Sequence, residues 1–198
     1  MSETTPTRAA VLELKDEQRA MHEGYVFLDE KCLLLAGEML RQLSRHAELE
    51  SRLQAAHGAA MAALQSALAR HGLEGLQVQP ADGLGDSSVV RESRSLMGVP
   101  LQEARWSATA EAGAPAVNPS PEARACRAAF EELLAAAVPL AAVSGNLERL
   151  SREYRRSVRR ARALQDVLLP ELGRSVRDIE TRLEELEQEE AVLMRRRA

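Results

Sequence analysis

Apolar residues recur every seventh position along the first third of the chain. One row reads Leu14, Met21, Leu28, Leu35, Leu49, Ala56 and Ala63; a second reads Val11, Tyr25, Cys32, Met39, Leu53, Ala60 and Ala67. Two such rows make the seam of a coiled coil, in which each side chain fills a hole on a facing helix. Gln18, Gln42 and His46 interrupt them, and polar groups are tolerable in a seam that water or another chain reaches. Leu33, Leu34, Leu40 and Leu43 widen the apolar face, which predicts more than one neighbour there. Thr5 is the expected N-cap and Pro6 the first helical residue, where a missing N–H costs nothing. Arg70-His71-Gly72 is the expected stop. The predicted helix therefore covers residues 6–71, after a disordered stretch 1–5.

A second seam begins at Leu147 and runs through Leu150, Tyr154, Val158, Ala161, Leu164, Leu168, Leu172, Val176, Ile179, Leu183, Leu186 and Leu193. Its steps are threes and fours in pairs until Leu168, around which successive fours accumulate, a stutter that coincides with Pro170. Proline removes a helical hydrogen bond, so a local kink is predicted at Pro170. Ser120-Pro121-Glu122 reads as the start, with Pro at the first helical position and an acid favoured by the dipole. The second helix is thus expected over 120–198. Between the helices, 72–119 gathers Pro80, Gly83, Gly85, Pro100, Gly113, Pro115 and Pro119 and breaks the pattern. Ser88–Arg91 and Val99–Leu101, flanking Leu96-Met97-Gly98, suggest a small β-hairpin.

Neither helix can bury its stripe alone, so the predicted fold is all-α: a long antiparallel two-helix coiled-coil hairpin, with arms on the order of 100 Å at 1.5 Å per residue. The irregular middle would sit at the distal tip and both termini at the other. In that register Cys32 faces the neighbourhood of Leu172, far from Cys126, so no disulfide is expected between them.

Composition agrees with a thin seam rather than a thick core. Aromatic residues make up 3% of the chain while hydrophobic residues reach 45%, so Leu, Ala and Val carry the burial. A formal net charge of −4 gives no overall pull toward nucleic acid or acidic membranes. The two cysteines lack CxxC spacing, and a reducing, cytoplasmic setting is the default. The polar N-terminus with Glu3 does not read as a signal peptide. The most apolar run, Leu133–Val143, is about half the ~20 residues of a bilayer span and contains Pro139, so no membrane insertion is expected.

Catalytic signatures are not found. Gly83-Leu84-Gly85-Asp86-Ser87-Ser88 lacks the Gly-Lys-Ser/Thr of a phosphate-binding loop. His22, His46, His57 and His71 never fall at the i, i+4 spacing of a helical metal pair. Glu184, Glu185, Glu187, Glu189 and Glu190 read as a wet helix face rather than a carboxylate site. No catalytic, cofactor-binding or metal-binding residue is assigned.

Two terminal segments carry a resemblance. Pro6-Thr7-Arg8, Leu12, Leu14-Lys15, Gly24, Leu28 and Lys31 in helical phase, and Arg159-Arg160-Ala161-Arg162-Ala163-Leu164-Gln165 followed by Val167-Leu168-Leu169-Pro170 and Leu172, resemble the D-subunit family of V/A-type rotary ATPases. Met97-Gly98-Val99-Pro100 is similar to a Gly-x-x-Val-Pro element near the middle of that family. The match covers roughly the first 40 and last 50 residues. It departs at Cys32, where the family usually has Arg, at Arg162 for Asn, at Gln165 for Glu, and in the ending Val192–Arg197.

The resemblance implies a non-catalytic central stalk, a rotor shaft coupling ATP turnover in a catalytic ring to proton or sodium transport through a membrane sector. Its implied partners are the catalytic and regulatory nucleotide-binding subunits of the ring, the small F subunit of the stalk and a socket subunit on the membrane rotor. Its implied location is cytoplasmic and peripheral to the membrane. Arg8, Lys15, Arg19, Arg177, Arg195, Arg196 and Arg197 are the candidate contacts to the ring. Arg195–Arg197 and the Lys15/Arg19 pair read equally as ordinary helix-surface charge, the former favoured by the dipole at a helix end.

Arg149, Arg152, Arg156 and Arg159 share one helix face. They read either as a solvated edge paired with Glu48 and Glu50, or as a dock for the small stalk subunit or acidic loops of the ring. Nucleic acid is disfavoured because no aromatic residues interleave for stacking. A stand-alone helical-hairpin scaffold or adaptor is the alternative to the shaft, and a helical chaperone or nucleic-acid binder using the Arg stripe is a third class.

Overall fold

The computed structural model describes residues 6–79, 88–107 and 119–197. Its elements are α1 (Arg8–Gln77), β1 (Ser88–Leu96), β2 (Val99–Ser107), α2 (Pro121–Ala163), a π-helical turn (Leu164–Leu168) and α3 (Leu169–Arg197). Two long helical arms and a small antiparallel hairpin between them are the predicted fold. Thr5, Pro80, Gly83, Gly85, Gly113 and Pro115 lie outside the described residues. The structure divides into two compact units, one holding the chain up to Leu34 and from Glu153 onward, the other Leu35–Arg152.

The start of α1 differs from the sequence reading. Thr7, not Thr5, is the cap: its Oγ1 accepts a hydrogen bond from the Ala10 N–H at 3.2 Å, three residues on, as an N-cap hydroxyl does. Pro6 therefore precedes the helix. At the other end Gly72 adopts φ 67°, a left-handed conformation that favours glycine. It breaks the helix as expected, but a further helical turn follows it as far as Gln77. The start of α2 is as read: Ser120 Oγ accepts from the Ala123 N–H at 3.1 Å, and His71 Nε2 lies 2.6 Å from the same hydroxyl.

Both heptad rows of α1 hold, with every row position buried or half-buried. Leu35, Ala60 and Ala67 are fully buried. The flanking leucines are exposed among the described residues: Leu33 is 69% and Leu40 66% accessible. In the second arm the seam is buried at Leu150, Ala161, Val176 and Ile179, but Leu168, Leu186 and Leu193 are exposed. Leu168 falls within the π turn, where Leu169 donates its N–H to the Leu164 carbonyl. A π turn holds one extra residue, so Leu169 replaces Leu168 on the inner face. The stutter and Pro170, second residue of α3, are thus accommodated together.

In the first unit the arms are antiparallel. Arg8 pairs with Glu187, Lys15 with Glu180 and Lys31 with Glu153. Cys32 therefore lies near the level of Glu153 rather than Leu172. The sequence register assumed level ends, whereas α3 runs past the start of α1 and the π turn adds a residue, which together account for about half of the shift. Leu186 and Leu193 are exposed because they belong to this overhang or its edge. Cys32 and Cys126 are both free thiols.

In the second unit the hairpin does not sit at the helix ends. It lies against Glu38 and Arg45 of α1 and Asn146 and Arg149 of α2, so this hairpin part of the middle region is not at the distal tip expected for it. The strands are nine residues each, longer than read, because polar β1 shows no alternation to signal it. A cross-strand ion pair, Arg105 to Glu92 at 2.6 Å, supports the outer rungs. Met97 (φ 49°) and Gly98 (φ 83°) join the strands, the two positive φ values of a type I′ turn. A Met at positive φ is strained, so Met97→Asn should stabilise the protein by about 0.5–1 kcal/mol, measured as a shift in urea midpoint at unchanged slope.

Candidate functional site

The surfaces available for function are charged helix faces and helix ends. Two shallow depressions of about 500 Å³ each lie at the end of the first unit: one lined by Arg8, Val11, Leu12, Glu180, Leu183, Glu184 and Glu187, the other by Glu185, Gln188, Glu189, Val192, Leu193 and Arg196. Their carboxylates are exposed or, at Glu187 and Glu180, paired with Arg8 and Lys15. Neither brings a nucleophile against a base.

Of the candidate ring contacts, three are already paired within the chain. Arg8 meets Glu187 at 2.7 Å, Lys15 meets Glu180 at 2.6 Å, and Arg19 meets Asp16 at 3.4 Å. Arg177, Arg195 and Arg196 are exposed and form no ion pair among the described residues; the Arg197 side chain lies outside them. Beside Arg195 and Arg196 stand Val192, Leu193 and Met194, 49%, 53% and 72% exposed. The end of α3 thus presents apolar and cationic groups together.

The stripe on α2 separates into two roles. Arg149 is turned inward: its Nε donates to the Pro100 carbonyl at 2.9 Å and its Nη2 to Asn146 Oδ1 at 2.6 Å. Arg152, in the second unit, and Arg156 and Arg159, in the first, are exposed without an ion pair among the described residues. The expected pairing with Glu48 and Glu50 does not occur; Glu50 lies 3.6 Å from His46 instead. A guanidinium that satisfies a β-strand carbonyl is held close to the chain, which the spacing of arginines could not reveal.

Two carboxylates that the sequence did not single out are the most strongly held. Glu38, 2% exposed, accepts from Gln42, from Arg94 at 2.6 Å and twice from Arg41. Burial pushes its carboxyl up, but the hydrogen bonds from Gln42 and Arg41 and the charge of Arg94 outweigh this and hold it below the usual range. Glu153 is held low chiefly by the hydrogen bond from Lys31, against a smaller opposing effect of burial. A depressed carboxylate pKa contributes stability that is present above the unfolded value, about 4.3, and lost as pH falls through the folded value. Melting temperature should therefore fall as pH drops below about 4.3, and less steeply in Glu38→Gln/Glu153→Gln, read by circular dichroism across pH. Asn146 is the other unforeseen residue, 2% exposed and bonded to the Gln102 backbone.

The apolar run of α2 also needs correction. The continuous helical stretch from Pro121 contains a window long and apolar enough to cross a membrane by length and composition, so those criteria do not exclude a span as the shorter run Leu133–Val143 suggested. Pro139 lies inside the helix, and Glu131 and Glu132 stand directly before that run.

Comparison with known proteins decides the family. The family model for the ATP synthase D subunit matches residues 10–197. The chain belongs to the ATP synthase D-subunit family. It is 31% identical over 195 residues to the A-type ATP synthase D subunit of Thermococcus gammatolerans, covering 96% of this chain and 91% of the relative. The V-type ATP synthase D subunits of Thermotoga neapolitana, at 26% identity covering 96% of this chain and 95% of the relative, and of Anaeromyxobacter dehalogenans, at 28% covering 99% and 96%, are further relatives. As a member of this family the chain is a subunit of a rotary ATPase, and similarity extends through the middle region, beyond the two terminal segments that first carried it.

Proposed function

We propose that the chain is the central stalk of a V/A-type rotary ATPase, a rotor shaft that couples ATP hydrolysis or synthesis in a nucleotide-binding ring to proton or sodium transport, and that it carries no catalysis itself. The observation that supports this most is the antiparallel helix pair of the first unit, extended by an α3 end that this chain leaves uncovered. A shaft transmits torque through packing: slipping or untwisting the seam would expose apolar area at roughly 25 cal/mol per Å². Apolar Val192, Leu193 and Met194 flanked by Arg195 and Arg196 suit a bearing inside a ring, where side chains must be gripped and yet turn. Arg8, Lys15, Arg19, Arg177 and Arg197 complete that surface.

Arg152, Arg156 and Arg159 serve as the dock for the small stalk subunit, with Arg149 supporting the hairpin rather than the partner. The socket subunit of the membrane rotor takes the far end of the shaft, so the chain works on the cytoplasmic side, peripheral to the membrane and without inserting α2 into it. Nucleic acid has no part in this reading.

Co-purification tests it. A tagged chain at native abundance should bring down two large nucleotide-binding subunits and the small stalk subunit; recovery of the chain alone would favour a scaffold or adaptor. In the assembled complex, Leu28→Asp or Leu183→Asp, each half-buried on the seam, places a carboxylate there at a cost of roughly 2–4 kcal/mol. ATP-driven ion transport should fall more than ATP hydrolysis does, and equal retention of both would argue against a stiff shaft.

A further inference from the structure

The second unit contains a problem of register. Along α1 the heptad rows change from Leu49 and Leu53 to Ala56, Ala60, Ala63 and Ala67, while the buried positions of α2 in this unit include Cys126 and Val143. Alanine knobs are shallow, and a row of them looks nearly the same after a slip of seven residues. Packing alone specifies such a seam weakly. In coiled coils a buried polar group at one level supplies the missing specification, because any other register leaves it unpaired.

The β1–β2 hairpin supplies two such groups at adjacent rungs of its ladder, where Arg94 pairs with Leu101 and Ser93 with Gln102. On β1, Arg94 donates to the buried Glu38 carboxylate of α1 at 2.6 Å. On β2, the Gln102 N–H and C=O both bond the side-chain amide of Asn146 on α2, each at 2.8 Å. An Asn amide presents an N–H and a C=O side by side, as a peptide unit's neighbour in a sheet does, so Asn146 stands in for a strand neighbour on the outer edge of β2. Arg45 to Glu103 at 3.0 Å on the α1 side and Arg149 to the Pro100 carbonyl at 2.9 Å on the α2 side repeat the attachment. Beneath them Val99 and Leu101 are buried. Moving α2 by one turn withdraws Asn146 from Gln102 and leaves buried polar groups unpaired, while moving α1 costs Glu38 its Arg94 partner and leaves it only Gln42 and Arg41 of its own helix.

We propose that the β1–β2 hairpin is a register key: by gripping Glu38 on α1 and Asn146 on α2 at neighbouring rungs, it fixes the axial and rotational setting of a helix pair that the alanine rows of α1 specify only weakly, with the His71–Ser120 contact as a second tie at the far end of the alanine rows. This goes beyond the shaft reading and holds for the isolated chain, whatever complex it serves.

The test is pulsed electron–electron distance measurement on the isolated full chain, with spin labels at the exposed positions Gln54 on α1 and Ala135 on α2, in a Cys32→Ala/Cys126→Ala background. The otherwise unaltered chain should give one narrow distance peak. Asn146→Leu/Arg94→Met should add a second population, from a slide of up to ~10 Å for one heptad at 1.5 Å per residue. Arg94→Met/Arg149→Met, which leaves buried Asn146 in place, should broaden the peak. A single narrow peak in both variants, with helix content intact, overturns the key. Loss of helix in both also overturns it, since a key orders helices that form without it.

Discussion

Leu150→Asp should destabilise the protein by about 4–5 kcal/mol, while Leu186→Asp on the same apolar row costs less than about 0.5 kcal/mol. The two leucines are indistinguishable as members of a heptad series. Leu150 is fully buried, however, and Leu186 is 44% exposed. A carboxylate at position 150 must shed its water without a cation to replace it, so it either stays buried at high cost or takes up a proton. At position 186 it remains hydrated, beside the neighbouring glutamates. Urea unfolding of the isolated chain measures both, and comparable losses at the two sites would mean that the end of α3 is covered by its own chain after all.

Lys31→Glu should cost about 2 kcal/mol. Lys31 Nζ lies 2.6 Å from Glu153, with the two side chains only 15% and 23% exposed. Reversal sets two carboxylates against each other in a partly dry seam and also removes the bond that holds the Glu153 carboxyl low. The residual exposure screens the charges, which keeps the loss below that of a fully buried pair. The exchange Lys31→Glu/Glu153→Lys should recover about half of it, roughly 1 kcal/mol, because a lysine at 153 would face Arg156 and Arg160, both of which act on Glu153. A double-mutant cycle checks this; additive losses would show that the two residues do not meet.

Much of the fold is legible because its signals are local. Heptad spacing in α1, the Ser120 cap, the break at Gly72 and the Met97-Gly98 turn each depend on residues within a few positions of one another. The π turn is a subtler case: two successive four-residue steps beside Pro170 announced that something must absorb an irregularity, but only the backbone shows that an inserted residue brings Leu169 inward in place of Leu168. The register of the arms was misread because periodicity says which face is buried and nothing about how far one helix slides along another. That information sits in Lys31–Glu153 and Lys15–Glu180, pairs that no spacing rule connects.

The candidate site was legible as a set of arginines and illegible as a set of roles. Arg149 looks like Arg152 in sequence, yet it closes on the Pro100 carbonyl. Glu38 and Asn146 were invisible because a polar residue in a helix reads as surface until a distant strand arrives to bury it. The exposed Leu33 and Leu40 show the converse, an apolar face wide enough for a neighbour that the described residues do not provide.

Rotation is the claim on which the functional account rests. With the nucleotide-binding subunits of the assembled complex fixed to a surface and a bead tethered at the exposed outer position Ser93 through Ser93→Cys in the Cys32→Ala/Cys126→Ala background, addition of ATP should drive the bead stepwise in one direction. A bead that stays fixed, or fluctuates without net direction, while the complex hydrolyses ATP would contradict it.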